Sequence, residues 1–322
     1  SSDLVFDTAL DAAGIVHLQH KIKNRSSVRN ELLKDIAQTD SEMTALIAEA
    51  DGLQNTRELM TVLHHRANVM FNIMRGGVCA EDGKVNVSDY ISFVEIRSKE
   101  KLASVKEIFK ALPNERILER STVRDAMEKS GDAQLMRLFL EYVPLTFSRR
   151  HGDPSRPWNR FNIQLKDNDG NPLLNYEGNW RDIFQNWEAL AWSYPAYIPS
   201  FTAKFLNAMT AEGFNPYRIT REGIDWETPD PENPWAQYGY WGDHQVIYLQ
   251  KFLELYSMTD SIGLQKALNI PLYSSSNVPY RLKSYSEILK DPRTSIIFDQ
   301  SLSTKLIEAA GKNGSDEKLV KG

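Results

Sequence analysis

The sequence predicts a mainly helical protein, and two observations support this fold class. Apolar residues recur at three- and four-residue intervals over long stretches, for example at Leu59, Val62 and Leu63, which is the spacing of one helix face. Two further helical patterns, from Trp180 to Tyr194 and from Pro199 onward, are separated by a short connection. Because helices joined in this way pack antiparallel, we expect helix pairs rather than a large sheet.

The composition is that of an ordinary globular protein. Of the 322 residues, 41% are hydrophobic and 25% are charged. The net charge of −5 gives no basic surface for nucleic acid, and no apolar run is long enough to span a membrane. Cys79 is the only cysteine, so we expect a small buried side chain in a protein of a reducing compartment, the cytoplasm.

Both ends of the sequence suggest a fragment of a longer protein. The chain begins with Ser-Ser-Asp instead of methionine and ends in a charged tail from Gly311 to Gly322. A fragment that lacks helices would expose apolar edges. We therefore expect self-association, or completion of the fold by the remainder of the same chain.

The N-terminal part, residues 1–144, is predicted to consist of helices. The helix that starts near Leu59 should stop at Gly76. His64 and His65 in this helix are adjacent and would point to different sides, so we do not expect them to bind one metal ion. Further helices are expected over residues 98–112, 122–129 and 133–142, with a short strand at residues 84–87.

The second part, residues 145–322, opens with a loop rich in arginine, proline and glycine. Its cationic side chains could bind a phosphate or carboxylate group, and the candidates are Arg149, Arg150, His151 and Arg156. The alternative is a structural loop whose arginines pair with acids elsewhere. Beyond this loop, a turn signal at residues 167–171 predicts a small β-hairpin over residues 161–174, without the ligand spacing of a calcium loop.

The chain is organised around the stretch from Gly178 to Asn186, where a loop enters a helix. Trp180, Phe184 and Trp187 share the apolar face of this helix. The polar side chains lie on the other side, at Arg181, Asp182 and Gln185. An arginine, an acid and an amide at a helix start form a hydrogen-bonding unit for a ligand. The alternative is the solvated face of an ordinary surface helix.

Tryptophan is concentrated around this stretch. All seven tryptophans lie between Trp158 and Trp241, and seven of the thirteen tyrosines lie between Tyr176 and Tyr248. A sugar ring has apolar faces that stack on aromatic side chains and hydroxyl groups that bind polar ones, so this concentration favours a carbohydrate site. We assign Trp180 and Trp241 to that site.

A second aromatic loop enters a helix in the same way. The loop over residues 213–237 leads to Trp241, and Asp243 and His244 follow at the expected start of a helix that includes Val246. The alternative for these two polar residues is a capping aspartate beside an uninvolved histidine. Two more helices are expected near the C-terminus, over residues 284–289 and 301–310.

These two segments resemble a known family. Residues 179–186 are similar to the Arg-Asp-x-x-Gln-Asp motif of cellobiose and chitobiose phosphorylases, and residues 241–245 are similar to their Ser-Asp-Asp-His segment. The resemblance covers residues 145–256 and preserves the chain order. It implies an (α/α)6 toroid of the six-hairpin glycosidase superfamily, present in part and belonging to a large bacterial protein. It also implies that a disaccharide or oligosaccharide is bound by Arg181, Asp182, Gln185, Asp243 and His244.

The resemblance further implies a glycoside phosphorylase, which cleaves a glycosidic bond with inorganic phosphate as co-substrate and inverts the anomeric centre. It implies no cofactor or metal. The chain departs from the family at two places: Asn186 replaces an aspartate, and the Trp-Asn-Asp motif that holds the general acid is absent from the sequence. The catalytic residue therefore stays unassigned. Two alternatives remain, a glycosidase on the same fold and a catalytically silent carbohydrate-binding or scaffold domain.

Overall fold

A computed structural model describes residues 12–53, 56–146, 173–216, 218–225, 240–241 and 246–313. Within these ranges the protein is mainly helical, with thirteen α-helices and short strands that pair antiparallel. The mainly α fold class is therefore confirmed. The chain divides into two compact units, Ser1–Arg66 and Ala67–Gly322.

The first unit contains α1 (Ala12–Lys23), α2 (Arg25–Ala50) and the beginning of α3 (Leu59–Gly76). Asn24 separates the first two helices and caps the second, because its side chain accepts a hydrogen bond from the Ser27 amide at 3.2 Å. His65 Nε2 lies 2.7 Å from the carbonyl oxygen of Gly52, which is a structural contact within this unit.

The second unit begins within α3 and continues with four helices joined by short strands. These helices are α4 (Val87–Arg97), α5 (Lys99–Lys110), α6 (Arg120–Lys129) and α7 (Ala133–Glu141). Two strand pairs tie their connections together: β1 (Val78–Cys79) pairs with β4 (Leu145–Thr146), and β2 (Val85–Asn86) pairs with β3 (Ile117–Leu118). Cys79 is buried, as predicted. Burial raises the pKa of its thiol to about 12, although the charge of Arg120 acts in the opposite direction.

Three consecutive helices form the aromatic core of the second unit. They are α8 (Trp180–Ser193), α9 (Ile198–Ala208) and α10 (Val246–Thr259), and each of them packs against the other two. The indole of Trp187 stacks on the ring of Phe201, with centroids 4.8 Å apart, and the ring of Phe201 lies 6.0 Å from that of Phe252. Pro195 follows the end of α8, and Pro199 lies in the first turn of α9.

Short strands lie at one end of these three helices. β5 (Glu177–Asn179) leads into α8; β6 (Phe214–Asn215), β7 (Arg218–Thr220) and β8 (Ile224–Asp225) follow α9; and β9 (Tyr240–Trp241) precedes α10. Strand β7 pairs with both β5 and β8, and β6 pairs with β9. The C-terminal region adds α11 (Ser261–Leu268), the paired strands β10 (Tyr280–Leu282) and β11 (Ile296–Phe298) with α12 (Tyr285–Lys290) between them, and α13 (Gln300–Asn313).

The division between the units differs from the boundary predicted between residues 144 and 145. Residues 67–144 belong to the same compact unit as the helices of the second part. The physical reason is burial of apolar surface, since α7 buries Leu138 and Leu140 and packs on α9. Helix α3 also approaches α8 closely: a Cβ atom on Gly76 would lie 2.3 Å from Cβ of Leu190, so a larger residue does not fit there.

Most of the helices expected from the sequence are present with similar bounds. The predicted segments correspond to α3, α5, α6, α7, α8, α9, α10, α12 and α13, and the short strand expected at residues 84–87 corresponds to β2. The β-hairpin expected over residues 161–174 lies outside the described residues, apart from its last two positions. In the described part of the chain, every helix is too short or too polar to cross a membrane.

Candidate functional site

The predicted site begins at the junction of β5 and α8. Asn179 ends the strand and is the N-cap of the helix, and its backbone, with φ −54° and ψ 142°, is not helical. Asp182 lies in the first turn of α8, where a negative charge interacts favourably with the helix dipole. Nδ2 of Asn179 donates a hydrogen bond to Oδ2 of Asp182 at 3.5 Å. The cap thereby holds the carboxylate near the start of the helix.

One segment, residues 214–220, connects this junction to β9, which ends at the first residue of the second predicted motif. Its strand β7 pairs with β5, with Arg218 opposite Asn179, and its strand β6 pairs with β9, with Phe214 opposite Trp241. An ion pair between Arg218 and Glu177 strengthens the first pairing. Because β5 precedes α8 and β9 precedes α10, the strands that lead into the two predicted site helices lie at the same end of the helix bundle.

Two polar side chains of α8, those of Asp182 and Gln185, lie near this end. The side chain of Asp182 is partly buried, whereas that of Gln185, about one turn later, is exposed. A carboxylate and an amide in this arrangement can bind the hydroxyl groups of a polar ligand. Arg181 belongs to the same turn, but its side chain lies outside the described part of the structure.

Trp180 lies in the core, which corrects its assignment to the sugar site. Its side chain is 1% exposed, and its ring packs against Phe184 and Phe205 with centroid distances of 4.7 and 4.6 Å. Trp187 on the same helix face is fully buried as well. The apolar face was therefore predicted correctly, but a helix that packs on two neighbours buries its largest apolar side chains. At these two positions the tryptophans pack in the hydrophobic core and are not accessible to a ligand.

Asn186, at which the sequence departs from the phosphorylase motif, lies behind the predicted site and is 5% exposed. Its Oδ1 accepts a hydrogen bond from Nε of Arg75 in α3 at 2.9 Å, and its Nδ2 donates to the carbonyl oxygen of Asp182. Further along, Nδ2 of Asn72 donates to Oγ of Ser193 at 3.0 Å. These contacts join α3 to α8. The sequence analysis missed Arg75, because it lies 111 residues before its partner.

Most of the remaining predicted site residues lie outside the described part of the chain. This applies to Asp243 and His244, and also to the four phosphate candidates, Arg149, Arg150, His151 and Arg156. Trp241 is described only through its backbone in β9. The assignment of these residues to sugar and phosphate binding stays a prediction.

A charged cluster that the sequence did not predict supports the strands of the site. Arg221, directly after β7, donates from Nη2 to both carboxylate oxygens of Asp89 at 2.6 and 2.7 Å, and its backbone amide donates to the carbonyl oxygen of Tyr176. The hydroxyl of Tyr142 also donates to Asp89, at 2.7 Å. Burial and the neighbouring carboxylate raise the pKa of Tyr142, so this hydroxyl keeps its proton. Arg97 donates to the carbonyl oxygen of Arg221.

A second charge pair lies between α7 and α9. The side chain of Lys204 is 4% exposed, and its Nζ lies 3.5 Å from Oε2 of Glu141. Asn207 donates to the other carboxylate oxygen at 2.6 Å. Burial acts to raise the pKa of Glu141, but the charges of Lys204 and Arg97 and the hydrogen bond from Asn207 outweigh it, so this pKa is lower than the ordinary value. The first cluster joins α4 and the end of α7 to the residue after β7, and the second joins α7 to α9.

The described residues of the site can bind polar groups, but they do not identify a reaction by themselves. Across the ranges that the structure describes, no three His, Cys, Asp or Glu side chains are grouped to hold a metal ion. No protein-family model matches the chain, and no curated protein matches it. The functional interpretation therefore depends on the geometry of the described residues and on the sequence resemblance of the two segments.

Proposed function

We propose that this chain is the sugar-binding part of a glycoside phosphorylase-like protein. The observation that supports the proposal is the pairing of segment 214–220 with both β5 and β9. This pairing brings Asn179, which begins the first phosphorylase-like segment, and the backbone of Trp241, which begins the second, to one end of helices α8 to α10. Two segments that are distant in sequence and adjacent in the fold are suited to bind one ligand between them.

The finer fold that we propose is part of an (α/α)6 toroid. In such a toroid, loops at one end of six inner helices surround the sugar. Three consecutive helices that pack on each other, with strands and loops at one end, are consistent with a portion of that ring. In this proposal, the remainder of the same chain or a second copy completes the ring and covers the apolar side chains that α10 exposes in its first turn, Val246 and Ile247.

The sugar-binding roles follow from the chemistry of the side chains. Arg181 and Asp182 hold the non-reducing sugar beside the scissile bond, and Gln185 binds a further hydroxyl. The carboxylate accepts hydrogen bonds from sugar hydroxyls, while the guanidinium and the amide donate them. Asp243 and His244, which precede α10 in the sequence, contribute further hydrogen bonds. Trp180 is excluded because it is buried, and Trp241 remains the candidate for stacking on the sugar.

The proposed reaction is the inverting phosphorolysis of a disaccharide or oligosaccharide. A phosphate oxygen attacks the anomeric carbon from the face opposite the leaving group, the glycosidic bond breaks, and a carboxylic acid protonates the leaving oxygen. Phosphate requires cations, for which Arg149, Arg150, His151 and Arg156 are the candidates. The general acid is not assigned to any residue of this chain.

We also propose a cytoplasmic location and a small-molecule ligand rather than nucleic acid or a membrane. Cys79 is a free thiol in the core, which suits a reducing compartment. The net charge of −5 disfavours binding to polyanions.

A catalytically silent carbohydrate-binding domain is the second candidate function. Two sequence observations favour it: the Trp-Asn-Asp motif is absent, and Asn186 occupies the position of an aspartate in the motif. A glycosidase on the same fold would differ in using water instead of phosphate as the nucleophile.

Phosphate dependence distinguishes these candidates. The chain is incubated with cellobiose or chitobiose, with and without inorganic phosphate, and the products are followed by ³¹P and ¹H NMR. A phosphorylase forms a sugar 1-phosphate of inverted configuration only when phosphate is present, whereas a glycosidase forms free sugars in both samples. A silent domain binds the sugar and forms neither product. If the chain neither binds these sugars nor converts them, the proposal is wrong.

A further inference from the structure

A cavity of about 610 Å³ lies at the opposite end of helices α8 to α10 from the proposed sugar site. Pro195 in the connection from α8 to α9 and Pro199 in the first turn of α9 line it, together with Tyr256 near the end of α10. Helices α6, α7 and α11 supply the other walls. The volume is within the usual range for small-molecule pockets. None of the described residues of the two phosphorylase-like motifs lines this cavity, so it is separate from the junction of β5 and α8.

One cation, Arg120, is built into the wall of the cavity. Its guanidinium carbon lies 4.4 Å from the ring centre of Phe139 and 4.2 Å from that of Tyr197. Its Nη2 donates to Oγ of Ser200 at 2.5 Å, and its Nη1 donates to the carbonyl oxygen of Tyr142 at 3.4 Å. Two aromatic rings and two neutral acceptors therefore fix the orientation of this guanidinium.

These partners do not neutralise the charge of Arg120. Within the described parts of the chain, no carboxylate lies within ion-pair distance of its guanidinium. By contrast, Lys204 is paired with Glu141, and Arg221 is paired with Asp89. A partly buried cation without a counter-charge is poorly solvated, and an anionic group of a ligand would compensate it.

The rest of the lining suits the apolar body of a ligand. Leu140, Ala267 and Leu272 are buried apolar residues of the wall. Of the ionisable acids and bases that line the cavity, three are cationic and two are acidic, and both acids are exposed. One of these acids, Asp260, already accepts a hydrogen bond from the Gly263 amide at 2.8 Å. Arg124 and Lys266 are exposed as well, and Arg124 is paired with Asp125. The cavity therefore combines apolar walls with one partly buried cation, Arg120.

We propose that this cavity binds a small organic carboxylate. The carboxylate group forms hydrogen bonds with the guanidinium of Arg120, and an aromatic or branched aliphatic body packs against the apolar wall. The aromatic rings that hold the guanidinium reduce its freedom, so little entropy is lost when the anion binds. This site is independent of the proposed sugar site at the other end of the helices.

The test uses 4-phenylbutyrate as the probe and 4-phenylbutanamide as its neutral counterpart. Both have the same apolar body, so a difference in affinity reports the charge of the head group. Isothermal titration calorimetry of the chain with each compound should show binding of the carboxylate and at least tenfold weaker binding of the amide. Equal affinity for the two compounds, or no binding of 4-phenylbutyrate at millimolar concentration, would overturn the proposal.

Two variants locate the binding. Arg120→Gln removes the charge and should weaken 4-phenylbutyrate binding about tenfold or more. Because this variant also loses packing between two rings, Ala196→Trp provides a second test: Ala196 is exposed at the wall of the cavity, and an indole there should block entry without disturbing the core. Exposed Arg116, which does not line the cavity, gives the matched control Arg116→Gln.

The outcomes are distinct. Loss of binding in Ala196→Trp, with retained binding in Arg116→Gln, supports the proposed site. Unchanged binding in a folded Ala196→Trp variant contradicts it, whatever Arg120→Gln does. Sugar binding should be the same in Ala196→Trp and in the unaltered chain, so failure of the carboxylate site does not affect the test of the proposed function.

Discussion

Arg75 and Asn186 are joined by a hydrogen bond of 2.9 Å between Nε and Oδ1, which links α3 to α8 directly behind the candidate site. The amide of Asn186 also donates to the carbonyl oxygen of Asp182. A neutral side chain at this position thus serves both as acceptor and as donor. The departure from the aspartate of the phosphorylase motif has a structural role in this chain, whatever its effect on catalysis.

Replacement of Asn186 by leucine is expected to destabilise the protein. The change keeps a similar volume but leaves Nε of Arg75 without its acceptor in a partly buried position, which costs about 1–3 kcal/mol. Chemical denaturation of Asn186→Leu should show this loss of unfolding free energy. The control is Gln185→Leu at the neighbouring exposed position, where a change within about 0.5 kcal/mol is expected. Equal stability of the two variants would contradict this role.

The pairing of Arg221 with Asp89 predicts a strong coupling between α4 and the strands of the site. Arg221→Ala leaves the Asp89 carboxylate with the hydroxyl of Tyr142 but without its counter-charge. Since both side chains of the pair are only about a fifth exposed, we expect a loss of about 2–4 kcal/mol. A double-mutant cycle with Asp89→Asn measures the coupling.

The exposed pair of Arg124 and Asp125 is the control for that cycle. Nη2 of Arg124 lies 3.3 Å from Oδ1 of Asp125, and both side chains are about half exposed. Arg124→Ala should change stability by less than about 1 kcal/mol. A coupling energy for Arg221 and Asp89 as small as that of this surface pair would show that the cluster does not hold the strands.

Glu141 predicts a specific dependence of stability on pH. Its pKa in the folded protein is lower than the ordinary value of 4.5, so folding favours the ionised carboxylate. This contribution is complete at pH values above 4.5 and is lost as the pH falls through the folded-state pKa. Chemical denaturation of the unaltered chain at decreasing pH should show this loss as a fall in the free energy of unfolding. In Glu141→Gln, the free energy of unfolding should depend less on pH in the same range.

Glu141→Gln should also be less stable near neutral pH by about 3 kcal/mol, because Lys204 then stays buried without its counter-charge. The matched control is Glu254→Gln, at an exposed position of α10. If the two variants have the same stability and the same pH profile, the assignment of the acid dependence to Glu141 is wrong.

The helices were predictable because their signals are local. The periodicity that begins at Leu59 and the glycine at Gly76 define α3 from its own residues, and Pro195 marks the end of α8. The same periodicity identified the apolar face that contains Trp180. It could not distinguish a face that packs on neighbouring helices from one that binds a sugar, because both require large apolar side chains.

The contacts that organise the site were not predictable in this way. Arg221 and Asp89 are 132 residues apart, and neither has a sequence pattern that identifies its partner. Arg120 resembles any other surface arginine in the sequence, and only the fold brings it between Phe139 and Tyr197. The pairing of β5 and β9 with one segment likewise depends on long-range backbone hydrogen bonds between very short strands, which have weak local signals.

The most direct test of the central claim is calorimetric titration of the chain with glucose, cellobiose and N-acetylglucosamine, with and without phosphate, beside Asp182→Asn. The matched control is Asp35→Asn, at an exposed position of α2 in the other unit. We predict that at least one sugar binds to the unaltered chain and to Asp35→Asn, and that Asp182→Asn binds it at least about tenfold more weakly. No binding of any of these sugars, or equal binding by the two variants, would contradict a sugar site at the start of α8.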